Sequence, residues 1–450
     1  MLAGSLRFRD GTTRPGGHNE TVLMIETQET APHTHNPIVR YFNLLGPGLV
    51  TGASDDDPSG ITTYSVAGAS LGYSMLWTAI ATFPLIAAVQ LICARIGLVT
   101  GRGLAGALRH HYPRPFLYAA CLLLLAANVF NIAADLAGMG ESAKMLTGLP
   151  TLVFVPLFGV AIMLGTVYTS YATFARYLKW MTAVLFSYIA AAFVAGPDWR
   201  AVLHASVVPD IRWDAVYVST LVGVLGTTIS PYLFFWQASQ EVEEEKAHGR
   251  RTSAQRRGAT PHELSDARLD VTTGIGFSNL VFYFIILTTA STLNRAGITE
   301  IETAREAAEA LRPLAGNAAY LLFALGLIGT GLLAVPVLAG SASFATAEVF
   351  GWRSGLDLSP RRGRRFYLVF AGAIVGGMLL DVFETNPIRM LFLSAVVNGI
   401  LAPPLLVLVM LVSGNPKIMG EHTNGVWLNV LGWAAAAVMA AAAVAFFLTA

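Results

Sequence analysis

Charge is scarce in this 450-residue chain: 13% of its residues are Asp, Glu, Lys or Arg, against roughly 25% in an average soluble domain. A soluble globule is therefore not expected. The 29 basic and 28 acidic residues leave a net charge of +1, so no global basic field exists to hold nucleic acid. There are two cysteines, Cys93 and Cys121, both inside long apolar runs. That excludes a disulfide framework, a zinc cluster and a redox pair, and suits small packing residues.

What is abundant is apolar surface, with 54% hydrophobic residues. Runs of about 18 or more such residues can cross a hydrocarbon core of roughly 30 Å as helices. Eleven are present, near 45–69, 75–98, 116–139, 151–169, 174–195, 216–239, 271–292, 317–344, 366–383, 388–412 and 426–448. A membrane β-barrel would show short alternating segments instead. About forty mostly polar residues precede the first run, including Arg7, Arg9 and Arg14, without an apolar core and small-residue cleavage site. Residues 1–39 are expected to be a disordered cytoplasmic tail and not a cleaved signal peptide. Residues 40–413 then form a ten-span core, and 414–450 an accessory eleventh span.

Placing the N-terminus in the cytoplasm puts 22 of the Lys and Arg residues on that side and seven on the other: Lys144, Arg200, Arg212, Arg295, Arg305, Arg312 and Arg389. The asymmetry follows the positive-inside rule and sends the C-terminus outside. The expected location is the cell (inner) membrane, crossed many times. In the 241–266 loop, the acidic run Glu241–Glu245 is expected to be a solvated helix end, the alternative being a regulatory cation site. Residues 299–313 have helical spacing and predict an extracellular surface helix. Arg361, Arg362, Arg364 and Arg365 mark the cytoplasmic edge of the ninth span.

Two spans are interrupted. The first contains GASDDDPSG, three carboxylates, a proline and a glycine inside an apolar run. Proline removes a backbone hydrogen bond, and charge at membrane depth is costly, so such a break persists where it lines a polar cavity. Asp55, Asp56 and Asp57 are expected to face water or an ion. The sixth span breaks at GTTISPYLFF, where Thr227, Thr228, Ser230 and Pro231 bring hydroxyls and no charge. Pro58 and Pro231 are 173 residues apart, and each opens a set of five spans, 1–5 and 6–10. Discontinuous helices in corresponding positions of two halves point to a transporter of inverted repeats with a midplane ion site.

At these residues the chain resembles the NRAMP family of divalent-metal transporters, which share the LeuT-type fold. GPG at 46–48, Asp57–Pro58, AGASLGY at 67–73, TGRGLA at 100–105, Asp135–Leu136–Ala137 and the proline break of the sixth span occur in family order. The resemblance implies an all-α integral membrane protein of the LeuT type with broken helices 1 and 6. It also implies rocking of spans 1, 2, 6 and 7 against spans 3, 4, 8 and 9. The departures are informative. The family's DPGN reads DPSG, with Gly60 in place of the asparagine. Its Met-Pro-His-Asn reads Ser230, Pro231, Tyr232, Leu233, and its Asp-Leu-Ala-Glu ends in Gly138. The chain is similar to a branch lacking the methionine, associated with Mg²⁺ and Mn²⁺.

An oxygen-only donor set favours hard ions, and Mg²⁺ commonly keeps several waters. The family arrangement implies Asp57 as the carboxylate ligand, backbone carbonyls of Ala53 and Thr227, and a hydroxyl or bound water at Ser230. Gly60 leaves space for a hydrated ion. Asp56, about 100° from Asp57 if the turn is helical, would be an outer attractor. Asn398 in the tenth span faces the same cavity or makes a packing contact. Asp135, with Glu141, is the candidate for proton coupling. All nine histidines fall in the tail, loops or helix ends, so no intramembrane histidine relay is expected. The expected partners are a divalent cation as cargo and the lipid bilayer, with no cofactor, no nucleic acid and no obligate protein partner. Competing readings are a sodium-coupled carrier of organic solutes such as amino acids, an intramembrane enzyme using Asp57 and Asp135 as a carboxylate pair, and a passive channel.

Overall fold

The computed structural model describes residues 45–168, 183–381 and 386–449, and those residues are helical with short connections. The expected tail at 1–39, and 174–182 of the expected fifth span, lie outside the described residues. Fifteen described helices have eight residues or more. They are α1 (Pro47–Asp55), α2 (Pro58–Leu71), α3 (Leu76–Thr100), α4 (Leu104–His111), α5 (Arg114–Thr147), α6 (Thr151–Tyr168), α7 (Ser187–Val194) and α8 (Trp199–Val207), followed by α9 (Ala215–Thr228), α10 (Pro231–Ala247), α11 (Pro261–Thr292), α12 (Ala319–Phe350), α13 (Arg364–Asp381), α14 (Pro387–Ser413) and α15 (Val426–Thr449).

Eight helical stretches among the described residues are long and apolar enough to cross a membrane. Three of the eleven expected spans do not stand among them as separate crossings. The first is cut into α1 and α2, its second half running on toward α3. The fifth is described only in part. The ninth, α13, carries Arg364, Arg365 and Asp381 at its ends. Several helices also outrun their apolar stretches: α5 extends to Thr147 and α11 begins at Pro261. Hydropathy marks only the part in hydrocarbon, whereas capping extends the helix beyond it. At the start of α11, Thr260 and Glu263 form a reciprocal capping box.

The packing separates two groups of helices. In one, α11 lies against α1, α2 and α3, and α10 lies against α3 and α1. In the other, α5, α6, α12 and α13 pack on one another, with Asn128 of α5 donating to the Leu338 carbonyl of α12 at 2.8 Å. Helix α14 touches both α9 and α5, while α15 covers α14, α3 and α9. Outward-facing side chains are large and apolar, among them Leu157 and Leu164 of α6 and Trp427 and Leu448 of α15. Surface of this kind suits lipid.

Small residues bring backbones together where the broken helices pack. A Cβ on Gly274 of α11 would lie 2.1 Å from the Gly48 carbonyl oxygen, and one on Gly226 of α9 would lie 2.1 Å from the Ala395 carbonyl oxygen of α14. Close approach of this kind is how membrane helices gain contact without a hydrophobic drive.

Two expectations are corrected. The run Glu241–Glu245 is a solvated helix end only in part: Glu244 is exposed and Glu243 half-buried, but Glu241 and Glu245 are buried, Glu241 accepting from Gln237 at 2.8 Å and Glu245 pairing with Arg250 at 3.1 Å. The reason is tertiary: α3 packs closely on this turn of α10, a Cβ on Gly97 lying 2.9 Å from the Glu241 Cβ. Residues 299–313 form no continuous surface helix. They break into Ala304–Ala308, Glu309–Leu311 and the start of Arg312–Ala315, with Ala304, Ala307, Ala310 and Leu311 buried. Cys93, buried, and Cys121, half-buried, are both free.

Gly274→Val should destabilise the protein by about 3 kcal/mol through overpacking, seen as a lower melting temperature of the detergent-solubilised chain. Gly372→Ala, with nothing within 4 Å of the added methyl, should leave it unchanged or slightly higher.

Candidate functional site

Both interrupted spans restart in the same way. Helix α2 begins with Pro58 behind Asp57, and α10 begins with Pro231 behind Ser230, each preceding residue in extended backbone. Proline suits the first helical position because its missing N–H has no intrahelical partner there. The preceding helices end at Asp55 and Thr228. Two helix C-termini, rich in carbonyl oxygen, and two N-termini, rich in N–H, therefore meet in the interior.

Asp57 is the N-cap of α2. Its Oδ1 accepts from the Gly60 N–H at 2.6 Å and the Ser59 hydroxyl at 2.8 Å, and its Oδ2 accepts from Asn131 Nδ2 of α5 at 3.0 Å. Only 1% of it is exposed. The three aspartates do not converge: Asp55 and Asp56 turn to Ser278 of α11, at 2.8 and 3.2 Å. The chain is not helical between them, since α1 stops at Asp55 and Asp57 is extended. Asp56 thus points away from Asp57 by backbone reorientation and not by helical phase. Among the described residues no three His, Cys, Asp or Glu side chains form a metal-holding group.

Gly60 lies between the breaks. A Cβ there would be 3.0 Å from Thr227 Oγ1, 3.2 Å from the Asp55 carbonyl oxygen and 3.3 Å from Asp57 Oδ1. Even a methyl group would be crowded there, so the glycine does not leave the expected space for a hydrated ion; it lets three oxygens close in where the two breaks meet. At the other break, the Ser230 hydroxyl lies 2.7 Å from the Thr227 carbonyl and 2.8 Å from that of Gly226. It donates to these, so its lone pairs stay open. The Thr227 hydroxyl is buried without a hydrogen-bond partner, so at this residue the free group is the side-chain oxygen and not the carbonyl. Ala53 is half-buried on α1.

Asn398 is buried on α14, next to Gly399, whose N lies 2.3 Å from a Cβ built on Gly226; its Nδ2 has no partner. Asp135 is wholly buried on α5, neither carboxylate oxygen meeting hydrogen-bond geometry. Glu141 stands apart, paired with Lys144 at 3.0 Å and accepting from Thr151 at 3.0 Å.

Sequence reasoning overlooked four residues here. Asn131 had a signal, being four residues before Asp135 and so on the same helix face. Ser278, Tyr64 and the Tyr232 hydroxyl had none, because their partners are remote in sequence. Tyr232 donates to the Ser54 carbonyl at 2.7 Å, and Tyr64 contacts Thr228 at 3.3 Å.

Residues 48–449 match the family described as natural resistance-associated macrophage protein-like, Nramp. The divalent metal cation transporter MntH of Pectobacterium carotovorum subsp. carotovorum is 28% identical over 405 residues, covering 87% of this chain and 90% of the relative. MntH of Yersinia enterocolitica serotype O:8 / biotype 1B is 28% identical over 423 residues, covering 90% and 94%. In structure, the Eremococcus coleocola manganese transporter aligns with a TM-score of 0.72 at 16% identity, over 95% of this chain and 91% of that one. MhsT, solved with L-phenylalanine, aligns with a TM-score of 0.59 at 12% identity, over 89% and 98%. At these identities the structural likeness speaks for the fold alone.

Asn131→Leu should cost about 1–3 kcal/mol, because buried Asp57 loses a donor. A clear fall in melting temperature is expected, and an unchanged one would mean that Asn131 does not support Asp57.

Proposed function

The chain belongs to the Nramp family, whose members are integral multi-pass membrane transporters and not enzymes, and on that premise we propose that it imports a divalent metal cation by alternating access at the gap between its two broken spans. Hard ions, Mg²⁺ and Mn²⁺, are preferred over Fe²⁺, and transport needs no coupled proton. The observation that carries this is the donor set around Gly60: Asp57 carboxylate, Thr227 hydroxyl, Asp55 carbonyl and, across the second break, the Ser230 hydroxyl. All are oxygen, and oxygen ligands favour hard cations.

Asp57 supplies the charge. Held by Ser59, Gly60 and Asn131, it is fixed in direction before an ion arrives, which limits reorganisation on binding. The C-terminal ends of α1 and α9 add partial negative charge. With glycine at 60 and serine at 230 the site offers few direct side-chain ligands, which suits an ion that keeps part of its water shell, as Mg²⁺ does. The carboxylates of Asp55 and Asp56, turned to Ser278 of α11, attract cations without entering the coordination sphere, and Asn398 flanks the site from the tenth span. Asp135 is the residue through which any proton movement would pass. Glu141, tied to Lys144 at the end of α5, is the weaker candidate.

The helices α1, α2, α3, α9, α10 and α11 move against α5, α6, α12 and α13, opening the gap to either side in turn. The N-terminus is cytoplasmic, the C-terminus outside, and the membrane is the cell (inner) membrane. Residues 40–413 form the carrier and 414–450 an accessory span. The carboxylate-pair enzyme is set aside: the family transports, and Asp57 Oδ2 bonds Asn131 rather than Asp135.

Purified protein in liposomes, with an internal metal indicator and pH dye, tests the reading. Saturable Mg²⁺ or Mn²⁺ uptake that Asp57→Ala abolishes, without acidification, is expected. Co-moving acidification would restore proton coupling, whereas absence of any metal flux would favour an organic solute. Ser230→Met should raise Cd²⁺ uptake relative to Mg²⁺ by about tenfold, a thioether preferring softer ions. Unchanged selectivity would remove Ser230 from the site.

A further inference from the structure

Two tyrosines cross between the broken spans in opposite directions. Tyr64, on the second half of the first span, meets Thr228 at the end of the first half of the sixth, 3.3 Å away. Thr228 already gives its hydroxyl proton to the Val224 carbonyl at 2.6 Å, so Tyr64 is the donor. Tyr232, on the second half of the sixth span, donates to the Ser54 carbonyl at the end of the first half of the first span, at 2.7 Å. Both rings are buried. Tyr64 stacks on Phe282 of α11 with centroids 4.3 Å apart, and the Tyr232 carbonyl accepts from Ser341 of α12 at 2.8 Å.

The two bonds are not equivalent for an ion in the gap. Helix α1 leaves its last four carbonyls, those of Gly52 to Asp55, without intrahelical partners. These are the backbone oxygens that the first break can offer to a cation. Tyr232 engages one of them, whereas Tyr64 engages a side-chain hydroxyl of the other span. We propose that Tyr232 is a specificity-determining positioning residue, its hydroxyl holding the Ser54 carbonyl out of the coordination sphere and keeping the site poor in direct oxygen ligands. The inference rests on the metal-carrier reading of the gap. Mg²⁺ takes six ligands and readily keeps waters among them, while Ca²⁺ takes six to eight oxygens at longer distance. Releasing the Ser54 carbonyl adds a direct oxygen, and deleting the phenolic oxygen adds room. Both changes favour the larger ion.

The test is competition against Mn²⁺ uptake in liposomes containing the full chain, comparing wild type, Tyr232→Phe, Tyr232→His, Tyr64→Phe and Asp57→Ala. In Tyr232→Phe, the Ca²⁺ concentration that halves uptake should fall about tenfold relative to that of Mg²⁺, the worth of one hydrogen bond. Tyr232→His, whose shorter ring also frees the carbonyl, should shift the ratio the same way and serves if the phenylalanine variant does not fold. Tyr64→Phe should slow uptake and leave the ratio as in wild type. An unshifted ratio in folded, transporting Tyr232 variants overturns the inference. So does an equal shift in Tyr64→Phe, which would trace selectivity to general loosening. Mn²⁺ uptake that survives Asp57→Ala would instead overturn the metal-site reading beneath it, so the two failures are told apart.

Discussion

The structure depends on one constraint: a backbone group taken out of a helix at membrane depth must find another partner. Two helices are interrupted here, and each interruption frees carbonyls on one side and N–H groups on the other. Asp57 receives the Gly60 N–H, Ser230 turns its hydroxyl to the carbonyls of Gly226 and Thr227, and Tyr232 takes the Ser54 carbonyl. With these bonds made, the breaks become stable, and beside Gly60 the Thr227 hydroxyl is left without a partner, next to the Asp55 carbonyl. The repair of the break and the construction of the site are one event.

The same solution recurs at the end of the molecule expected to face the cytoplasm. The N-terminus of α1 gives its N–H groups to a carboxylate on another span: Asp270 of α11 accepts from Gly46 at 2.9 Å, Gly48 at 2.6 Å and Leu49 at 3.1 Å. Helix α4 is held likewise by Glu348 of α12, which accepts from Gly103 at 3.0 Å and Gly106 at 2.9 Å. A carboxylate at a helix N-terminus gains from charge as well as hydrogen bonding. Nine-residue α1 is thereby fixed at both ends by contacts outside itself, which a helix so short requires.

Local chemistry explains how much was legible from sequence. Proline beside aspartate inside an apolar run announces a break without any partner being known, so Asp57, Pro58, Ser230 and Pro231 were identifiable. Asn131 was recoverable from helical spacing to Asp135. The contacts Tyr232 to Ser54 and Ser278 to Asp55 join residues 178 and 223 positions apart, and no local pattern encodes them. The acidic turn Glu241–Glu245 misled for the opposite reason. Charge runs usually face water, and Glu244 does, but tertiary packing, with α3 against Glu241, buries Glu241 and Glu245. Apolar runs located the membrane-crossing stretches and missed the polar turns beyond them, because capping and not hydropathy sets where a helix ends.

The central claim is that a hard divalent cation binds where the two broken spans meet, beside Asp57 and Thr227. Anomalous diffraction from crystals grown with Mn²⁺ tests it most directly. The account predicts one strong peak within coordinating or single-water distance of the Asp57 carboxylate and the Thr227 hydroxyl, absent in Asp57→Ala. A peak beside Asp55, Asp56 and Ser278 instead, or no ordered Mn²⁺ between the two breaks, would contradict it.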